Sequence, residues 1–351
     1  MTWRRCVVLM ATAAAAAASA CAYYNAMWSA EHHANEARRL EERGQASEAR
    51  AEWTQAASKA EVVRLRHPRS RWADEALVLQ VEALARSGAC HDAAEPLARA
   101  RVRVQGGAVR ERVDLAAAEC ALAGGDPLAA DAVLTSSLVS RDAGRRSRAE
   151  YLAGQAALLR MDYASAVEHF SRSSEASARD RALVSQYRAR IAQASTPRDL
   201  MPVALQLRTE HGDEAEHLLS LLTQVMVDAE TPAARFHRAE VARDSLHAPA
   251  LAAQMFLAAA AREPASLYAP KALIAALAVW PDRRDSIVAV LDARYGESPY
   301  TRAFRGEASL AYAAAEDSLA KALGVPTARI VPALAVPRFG VPSPGPRGPL
   351  P

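Results

Sequence analysis

Small and apolar residues recur along this chain at the spacing of helix faces, and the period-2 alternation that marks half-buried strands is scarce. In one recurring phrase, a Gly is followed five residues later by Ala, nine later by a large apolar residue and twelve later by a small residue. The complete copies are Gly44, Ala49, Trp53, Ala56; Gly88, Ala93, Leu97, Ala100; and Gly125, Ala130, Leu134, Ser137. The copies without the Gly are Tyr163, Ala166, Phe170, Ser173 and Ala252, Phe256, Ala259, Pro264. The alanines at 49, 93, 130 and 166 are 44, 37 and 36 residues apart, which predicts one pair of helices per repeat.

A second pattern, P-x-S-x-[WY]-A-x-x-A-L, marks the starts of helices. It begins at Pro68 and again at Pro264, and a looser copy lies around Ser298. In each copy Pro ends the preceding helix and Ser caps the next one. Further cap-plus-Pro starts are Thr196-Pro197, Thr231-Pro232 and Asp126-Pro127. These signals predict roughly sixteen helices between residues 29 and 323, with the first helix B running on through residue 66.

The repeated phrase resembles the tetratricopeptide repeat (TPR), in which a small residue eighth in helix A precedes a turn Gly and then the Ala and aromatic residue of helix B. The small residues of helix A are Ala37, Ala118 and Gly154. The resemblance implies an all-α fold, a TPR-type α-solenoid of antiparallel helix pairs over residues 29–323. A generic Ala-rich helical bundle is the alternative, because it also places small residues on helix faces.

Two cysteines fall at related positions of this repeat. Cys90 lies at the start of helix B in the second unit, and Cys120 lies near the end of helix A in the third. Consecutive helices of the TPR family run antiparallel, so the resemblance implies that these two sulfurs can meet and form a disulfide in an oxidising compartment. Two buried free thiols are the alternative.

The N-terminus carries the three parts of a secretory signal. Arg4 and Arg5 precede an uncharged stretch from Val7 to Ala20, and the small residues 18–20 suit a signal peptidase. The uncharged run has 14 residues, fewer than the about 20 that a spanning helix needs. Residues 1–20 are therefore predicted to be a cleaved signal peptide.

The residues at the predicted cut resemble a lipobox. Ala18-Ser19-Ala20-Cys21 matches the motif of bacterial lipoproteins except that Ala18 replaces the usual Leu. The resemblance implies that Cys21 is lipidated, that residues 21–28 form the lipidated Cys and a linker, and that Ala22 directs the chain to the outer membrane, at its periplasmic face. Ordinary cleavage at the same small residues, without lipid, is the alternative.

The other end of the chain is rich in proline. From Val325 onward the helical pattern stops, and 8 of the last 27 residues are Pro. Residues 324–351 are predicted to be a Pro-rich disordered tail.

Composition and motifs argue against several functional classes. The formal net charge is +3, and it falls to +1 when Arg4 and Arg5 leave with the signal, so no electrostatic footprint for nucleic acid is present. The chain contains no G-x-S-x-G, H-E-x-x-H, P-loop or C-x-x-C motif. We therefore predict no enzyme activity, no cofactor and no small-molecule substrate. His211 and His217 are separated across a predicted helix start, which disfavours a metal site.

A TPR array offers a groove lined by its A helices. The family's groove positions, carried over unit by unit, are Glu75, Val78, Glu82; Arg112, Leu115, Glu119; and Arg148, Tyr151, Gln155. As a set they predict a mixed-charge track with an apolar thread, suited to an extended peptide or a helix of a partner protein. Alternatively, each is an exposed helix residue without a binding role.

The combination of lipidated cysteine, short linker and TPRs resembles the outer-membrane lipoproteins of the β-barrel assembly machinery. It implies a membrane-anchored scaffold that binds envelope proteins or peptides. A periplasmic coordinator or tether of peptidoglycan machinery is an alternative role, and an accessory solute-binding lipoprotein is an alternative from another class.

Overall fold

The protein is described by a computed structural model that covers residues 26–104, 106–307 and 309–324. That part of the chain contains seventeen α-helices and no strand, which confirms the predicted all-α class. The predicted signal peptide, Cys21 and all of the predicted tail beyond Gly324 lie outside the described residues. Residues 26–28, predicted as the end of the linker, already belong to the first helix.

The chain divides into two compact units, Met1–Ala189 and Arg190–Pro351, and α9 runs across the division. The helices up to that point are α1 (26–42), α2 (Ala46–Arg66), α3 (Ala73–Ser87), α4 (Cys90–Arg103), α5 (Gly107–Ala123), α6 (Pro127–Leu138), α7 (Ala143–Leu159), α8 (Tyr163–Arg172) and α9 (Ala178–Ala192). As predicted, α2 continues through Arg66.

From α2 to α8, the helices of the first unit pack against their sequence neighbours, and α3, α5 and α7 also pack against one another in turn. α3 contacts α2, α4 and α5, and α5 contacts α6 and α7 in turn. The Ala of each repeated phrase is buried, and the large residues Trp53, Leu134 and Phe170 are fully enclosed between helices. Alanine recurs in this chain because only a small side chain lets two helices come close enough to enclose those larger ones.

The turns inside the helix pairs share one backbone geometry. Gly44, Gly88 and Gly125 have φ of 75°, 85° and 75°, in the left-handed region that glycine tolerates best. At the equivalent places in the copies that lack Gly, Met161 has φ 59° and His247 has φ 50°. In the first unit the residue after each turn donates its N–H to a carbonyl five residues back at 2.9 Å, from Gln45 to Leu40, Ala89 to Leu84, Asp126 to Ala121 and Asp162 to Ala157. The phrase read from the sequence therefore corresponds to a repeated structural turn.

These turns lie along one edge of the first unit, and the connections between helix pairs lie along the other. Arg86 pairs with Glu41 at 2.6 Å and links the first two turns. On the other edge, Arg103 pairs with Asp74 at 3.0 Å and links the first two connections. Ser140 donates to Glu111 at 2.6 Å and links the next two. Because successive helices run in alternating directions, every second connection lies at the same edge. The contacts within each edge agree with this arrangement.

The second unit contains the remaining helices. They are α10 (Met201–Leu207), α11 (Asp213–Met226), α12 (Pro232–Glu240), α13 (Pro249–Arg262), α14 (Ala269–Val279), α15 (Arg284–Tyr295), α16 (Pro299–Phe304) and α17 (Leu310–Leu323). α12, α13 and α14 follow each other in contact, and Phe236 packs against Phe256 with ring centroids 5.4 Å apart. Unlike the helices of the first unit, α17 returns to contact α12.

Most of the predicted helix starts are found where the caps were placed. Thr196 and Asp199 form a capping box, and Thr231 accepts from the backbone N–H of Ala234 at 3.2 Å. Asp126 accepts from Ala129 at 3.0 Å. In the three copies of the Pro and Ser pattern, the Ser oxygen accepts from the backbone N–H two residues later, in Trp72, Tyr268 and Tyr300. Ser298 is therefore the N-cap of α16 as predicted, whereas α3 and α14 begin three residues after Ser70 and Ser266, with Trp72 and Tyr268 at the N-cap positions.

Candidate functional site

A cleft of about 480 Å³ runs along α1, α3, α5 and α7 of the first unit. These helices lie side by side because each is separated in sequence by one helix that packs behind it. Its lining combines charged and small side chains: Arg38, Glu41, Glu42, Glu82, Arg86, Arg112, Leu115, Ala116, Glu119, Asp142, Gly144, Arg145, Ser147, Arg148, Ser174, Glu175 and Ala176. The cleft therefore has arginines and carboxylates on both walls.

Glu82 of α3 is held between two arginines from neighbouring helices. It accepts from Arg38 at 2.9 Å and from Arg112 at 3.0 and 2.8 Å. Burial alone would raise the pKa of this carboxyl, but Arg112, Arg38 and Arg86 together lower it to about 2. Glu82 is therefore ionised at any physiological pH and joins α1, α3 and α5.

Arg112 of α5 extends this chain of ion pairs. Its other terminal nitrogen lies 2.5 Å from Glu75 at the start of α3. Burial would lower the pKa of this guanidinium, yet the two carboxylates Glu82 and Glu75 raise it. An arginine bound by two carboxylates in fixed orientation is a rigid part of the wall.

Arg148 of α7 makes the corresponding bridge one helix further on. It donates to Glu119 of α5 at 2.6 Å and to Glu175 in the connection before α9 at 3.3 Å. Burial would lower its pKa, and Glu119, Glu175 and the more distant Glu41 raise it. The Nε of Arg148 is buried and has no hydrogen-bond partner among the described residues.

Trp53 lies beneath the charged end formed by α1 and α3. Its indole N–H donates to Glu41 at 2.9 Å, and Arg86 donates to the same carboxylate at 2.6 Å. The guanidinium carbons of Arg38 and Arg86 lie 5.3 and 5.0 Å from the ring centroid. The aromatic residue of the repeated phrase thus supports the cleft from below.

Six of the nine predicted groove residues lie at this cleft. Glu82, Arg112, Leu115, Glu119 and Arg148 line the cleft, and Glu75 contacts it through Arg112. Gln155 is half-buried on α7 and is not among the lining residues.

Two of the predicted groove residues have buried side chains and are not accessible to a partner. Val78 is completely buried among the core residues of α3, α4 and α5, so its placement in the groove is corrected. Tyr151 is also buried: its ring packs on Phe170 and its hydroxyl lies 2.8 Å from that of Ser177. Val78 packs between α3, α4 and α5, and Tyr151 packs against α8 and the connection that follows it, so neither residue belongs to the cleft lining.

The groove predicted from the sequence did not include the residues that α1 contributes to the cleft. Arg38 directly follows the small residue Ala37, as Glu119 follows Ala118, so the same register would have found it. Glu41, Arg86 and Glu175 had no such signal, since they lie at helix ends or in a connection whose path depends on the packing.

The two cysteines of the repeat meet at the edge formed by the turns. Cys90 begins α4, Cys120 lies near the end of α5, and their Cα atoms are 5.2 Å apart with the sulfurs at bonding distance. The predicted pairing is confirmed. The bond fastens the second helix pair to the third on the side away from the connections.

Within the described residues, no group of three or more His, Cys, Asp or Glu side chains is arranged to hold a metal ion. His211 and His217 flank the start of α11 at Asp213, as the sequence indicated. Among the helices described, none combines the length and the apolar character needed to cross a bilayer. Comparisons with protein-family models, curated proteins and solved structures return no match to this chain.

Proposed function

We propose that the first unit is a TPR-type solenoid that serves as a binding scaffold for envelope proteins, anchored to the outer membrane through Cys21. The solenoid assignment is supported by the shared left-handed turn of successive helix pairs, by the contact of each helix from α2 to α8 with its sequence neighbour, and by the contacts of α5 with α3 and α7. The anchor is supported by the sequence around Cys21, a residue outside those the structure describes.

The cleft on α1, α3, α5 and α7 is the observation that carries the binding role. Its walls are fixed by ion pairs that run from helix to helix, so the shape is set before a partner arrives. Fixed guanidinium and carboxylate groups of both signs, with Leu115 and Ala116 between them, suit an extended segment or a helix that alternates charged and small apolar residues.

Two exposed residues of the lining allow a direct test. A photoreactive amino acid at Glu42 or Ala176 samples the two ends of the cleft without disturbing the core. The same group at Ser136, exposed on α6 and outside the lining, is the matched control. We expect irradiation of intact cells to give a discrete crosslinked product from the two cleft positions and not from residue 136.

The identity of the product decides the role. Recovery of a β-barrel protein or its assembly factors supports outer-membrane assembly, and recovery of cell-wall enzymes supports the coordinator role. Equal crosslinking from all three positions, or none from the cleft, contradicts the scaffold. Intact-mass measurement of membrane-extracted protein tests the anchor separately, because an unmodified first residue would contradict lipidation.

Variants that alter the cleft and spare the core complete the test. Glu42→Lys reverses a charge at one end, and Ala176→Arg adds bulk at the other. Both should reduce the crosslinked product while thermal unfolding stays unchanged. Tyr151→Ala is unsuitable for this purpose, because it would open a cavity in the core.

A further inference from the structure

The two edges of the first unit carry opposite charge. The edge of connections comprises residues 62–75, 99–112, 136–149 and 170–183, which we call the basic edge; these segments contain 16 arginines and 6 acidic residues. The edge of turns comprises residues 39–52, 83–96, 120–133 and 156–169, which we call the acidic edge; these segments of equal length contain 5 arginines and 10 acidic residues. A difference of this size across one small array orients it in any electric field or near any charged surface.

Several arginines of the basic edge make no ion pair within the part of the chain that the structure describes. Arg66, Arg69, Arg101 and Arg141 are exposed, and none of them makes a side-chain ion pair within the described residues. They differ from Arg112 and Arg148, whose charges are taken up by the ion pairs of the cleft. The unpaired guanidinium groups are available to an external anion.

Large apolar side chains stand between these arginines. Leu65, Val102 and Val139 are 62%, 75% and 79% exposed. Successive members are 37 residues apart, so each occupies the end of the second helix in its pair. Folding into a core does not explain an exposed apolar residue at the same place in three successive pairs. A surface with both guanidinium and aliphatic groups fits the boundary between lipid headgroups and acyl chains.

The chain enters the first unit at this same edge. α1 precedes a turn of the acidic edge, so its first residues lie at the opposite, basic edge, and Met27 packs in the same core cluster as Val63 at the end of α2. Residue 26 is five positions after Cys21, and an extended chain over five positions spans at most about 18 Å. A lipid on Cys21 would therefore hold the basic edge against the bilayer.

We propose that the basic edge docks on an anionic phospholipid surface, with Leu65, Val102 and Val139 entering the headgroup layer. This docking proposal rests on the proposed function in one respect only, namely that the lipid on Cys21 sets the distance between the basic edge and the membrane. Docking would fix the orientation of the array and leave the acidic edge away from the membrane. The attraction acts over about 8 Å at physiological ionic strength, so only the edge nearest the anchor takes part.

The structure supplies two matched positions for a direct test. Val102 on the basic edge is 75% exposed and Leu128 on the acidic edge is 69% exposed. Val102→Cys and Leu128→Cys each add one free thiol, because Cys90 and Cys120 are paired and Cys21 carries the lipid. An environment-sensitive dye on each thiol is measured in phosphatidylcholine vesicles with and without phosphatidylglycerol, using nitroxide-labelled headgroups as quencher. We expect quenching at residue 102 in anionic vesicles and little at residue 128.

Charge variants distinguish an effect of the basic edge on membrane binding from an effect of the net charge. Arg66→Glu, Arg101→Glu and Arg141→Glu together should weaken partition of the protein into anionic vesicles about a hundredfold, on a scale of about one kcal/mol per arginine. Arg39→Glu, Arg43→Glu and Arg50→Glu change the net charge equally on the acidic edge and should leave partition nearly unchanged. Equal effects of the two triple variants would overturn the proposal.

The failure of the anchor and the failure of docking give different results. If intact mass shows no lipid, Cys21→Ser is added to each variant so that a single thiol is labelled. The labelled protein is then added to preformed vesicles, and stronger quenching at residue 102 than at residue 128 is still expected. If the lipid is present and the two positions are quenched equally, the anchor stands and membrane docking is overturned, which leaves an acidic protein as the occupant of the basic edge.

Discussion

The ring of Phe170 occupies the space that a side chain on Gly154 would need. A Cβ on Gly154 would lie 2.7 Å from two carbons of that ring, well inside van der Waals contact. Gly154 is the small residue of α7 and Phe170 is the large residue of α8, so this contact is the one that the repeated phrase implies for a helix pair. The close approach of the two helices depends on the missing methyl group.

Gly154→Ala should therefore destabilise the protein. The better helix propensity of Ala contributes up to about 1 kcal/mol, but displacing a fully packed ring costs about 1–3 kcal/mol, so we expect a net loss. Gly144→Ala is the control in the same helix, where the new methyl group meets only Asp142 at 3.4 Å. Denaturant unfolding should show a loss for the first variant and none for the second; equal stability of the two would contradict the packing described.

Replacing Met161 should stabilise the protein, in contrast to Gly154→Ala. It sits at the turn position with φ 59°, and its side chain is exposed, so replacing it removes backbone strain and little buried surface. We expect Met161→Gly to raise the free energy of unfolding by about 0.5–1 kcal/mol. Leu159→Gly, also exposed but at the last residue of α7, should lower it by up to about 1 kcal/mol. A loss of stability in both variants would indicate that the turn at residue 161 is not left-handed.

The contrast between Gly125 and Met161 indicates what the sequence could predict. Gly indicates a left-handed turn because it has no Cβ, and the repeated phrase that begins with this Gly located the helix pairs. Met161 and His247 adopt the same turn because the flanking helices require it, so their residue types carry no signal. The repeat positions of Val78 and Tyr151 predicted a groove surface, but both side chains are buried, because burial depends on how the neighbouring helices pack. The ion pairs of the cleft join residues from different helices, and their partners follow only from the packing.

Glu82 makes stability depend on pH in the acidic range. The arginines around it hold its pKa at about 2 in the folded protein, below the value near 4.5 expected in the unfolded chain. A lowered folded pKa contributes stability above the unfolded pKa, and that contribution is lost as pH falls from about 5 towards 2. It amounts to on the order of 3 kcal/mol.

Glu82→Gln should therefore be less stable than the parent chain at neutral pH, with a difference that narrows as the pH approaches 2. Unfolding in denaturant across this pH range measures the difference directly. Glu168→Gln, which removes an exposed pair with Arg172 one helical turn away, should change stability by less than about 0.5 kcal/mol at every pH. A constant difference between Glu82→Gln and the parent would show that the carboxyl is not ionised between its arginines.

The Cys90–Cys120 bond is the covalent link between two helix pairs, and its removal should have a predictable effect. The cysteines are 30 residues apart in sequence, and closing a loop of that length stabilises a fold by about 3–4 kcal/mol in the chain-entropy model. We expect a reductant to lower the unfolding free energy of the parent chain by this amount. The Cys90→Ala, Cys120→Ala double variant should start at the lower value and be insensitive to reductant.

A thiol count distinguishes this effect from general damage by the reductant. The denatured parent chain should expose no reactive thiol from this pair until it is reduced, and two afterwards. Two reactive thiols before reduction would contradict the bond. Because Cys90 and Cys120 lie on the acidic edge, loss of the bond should loosen the turns first, and hydrogen exchange should rise at Ala89 and Asp126 before it rises at the connections of the basic edge. That order would show that the disulfide secures the turns of the acidic edge and not the connections of the basic edge.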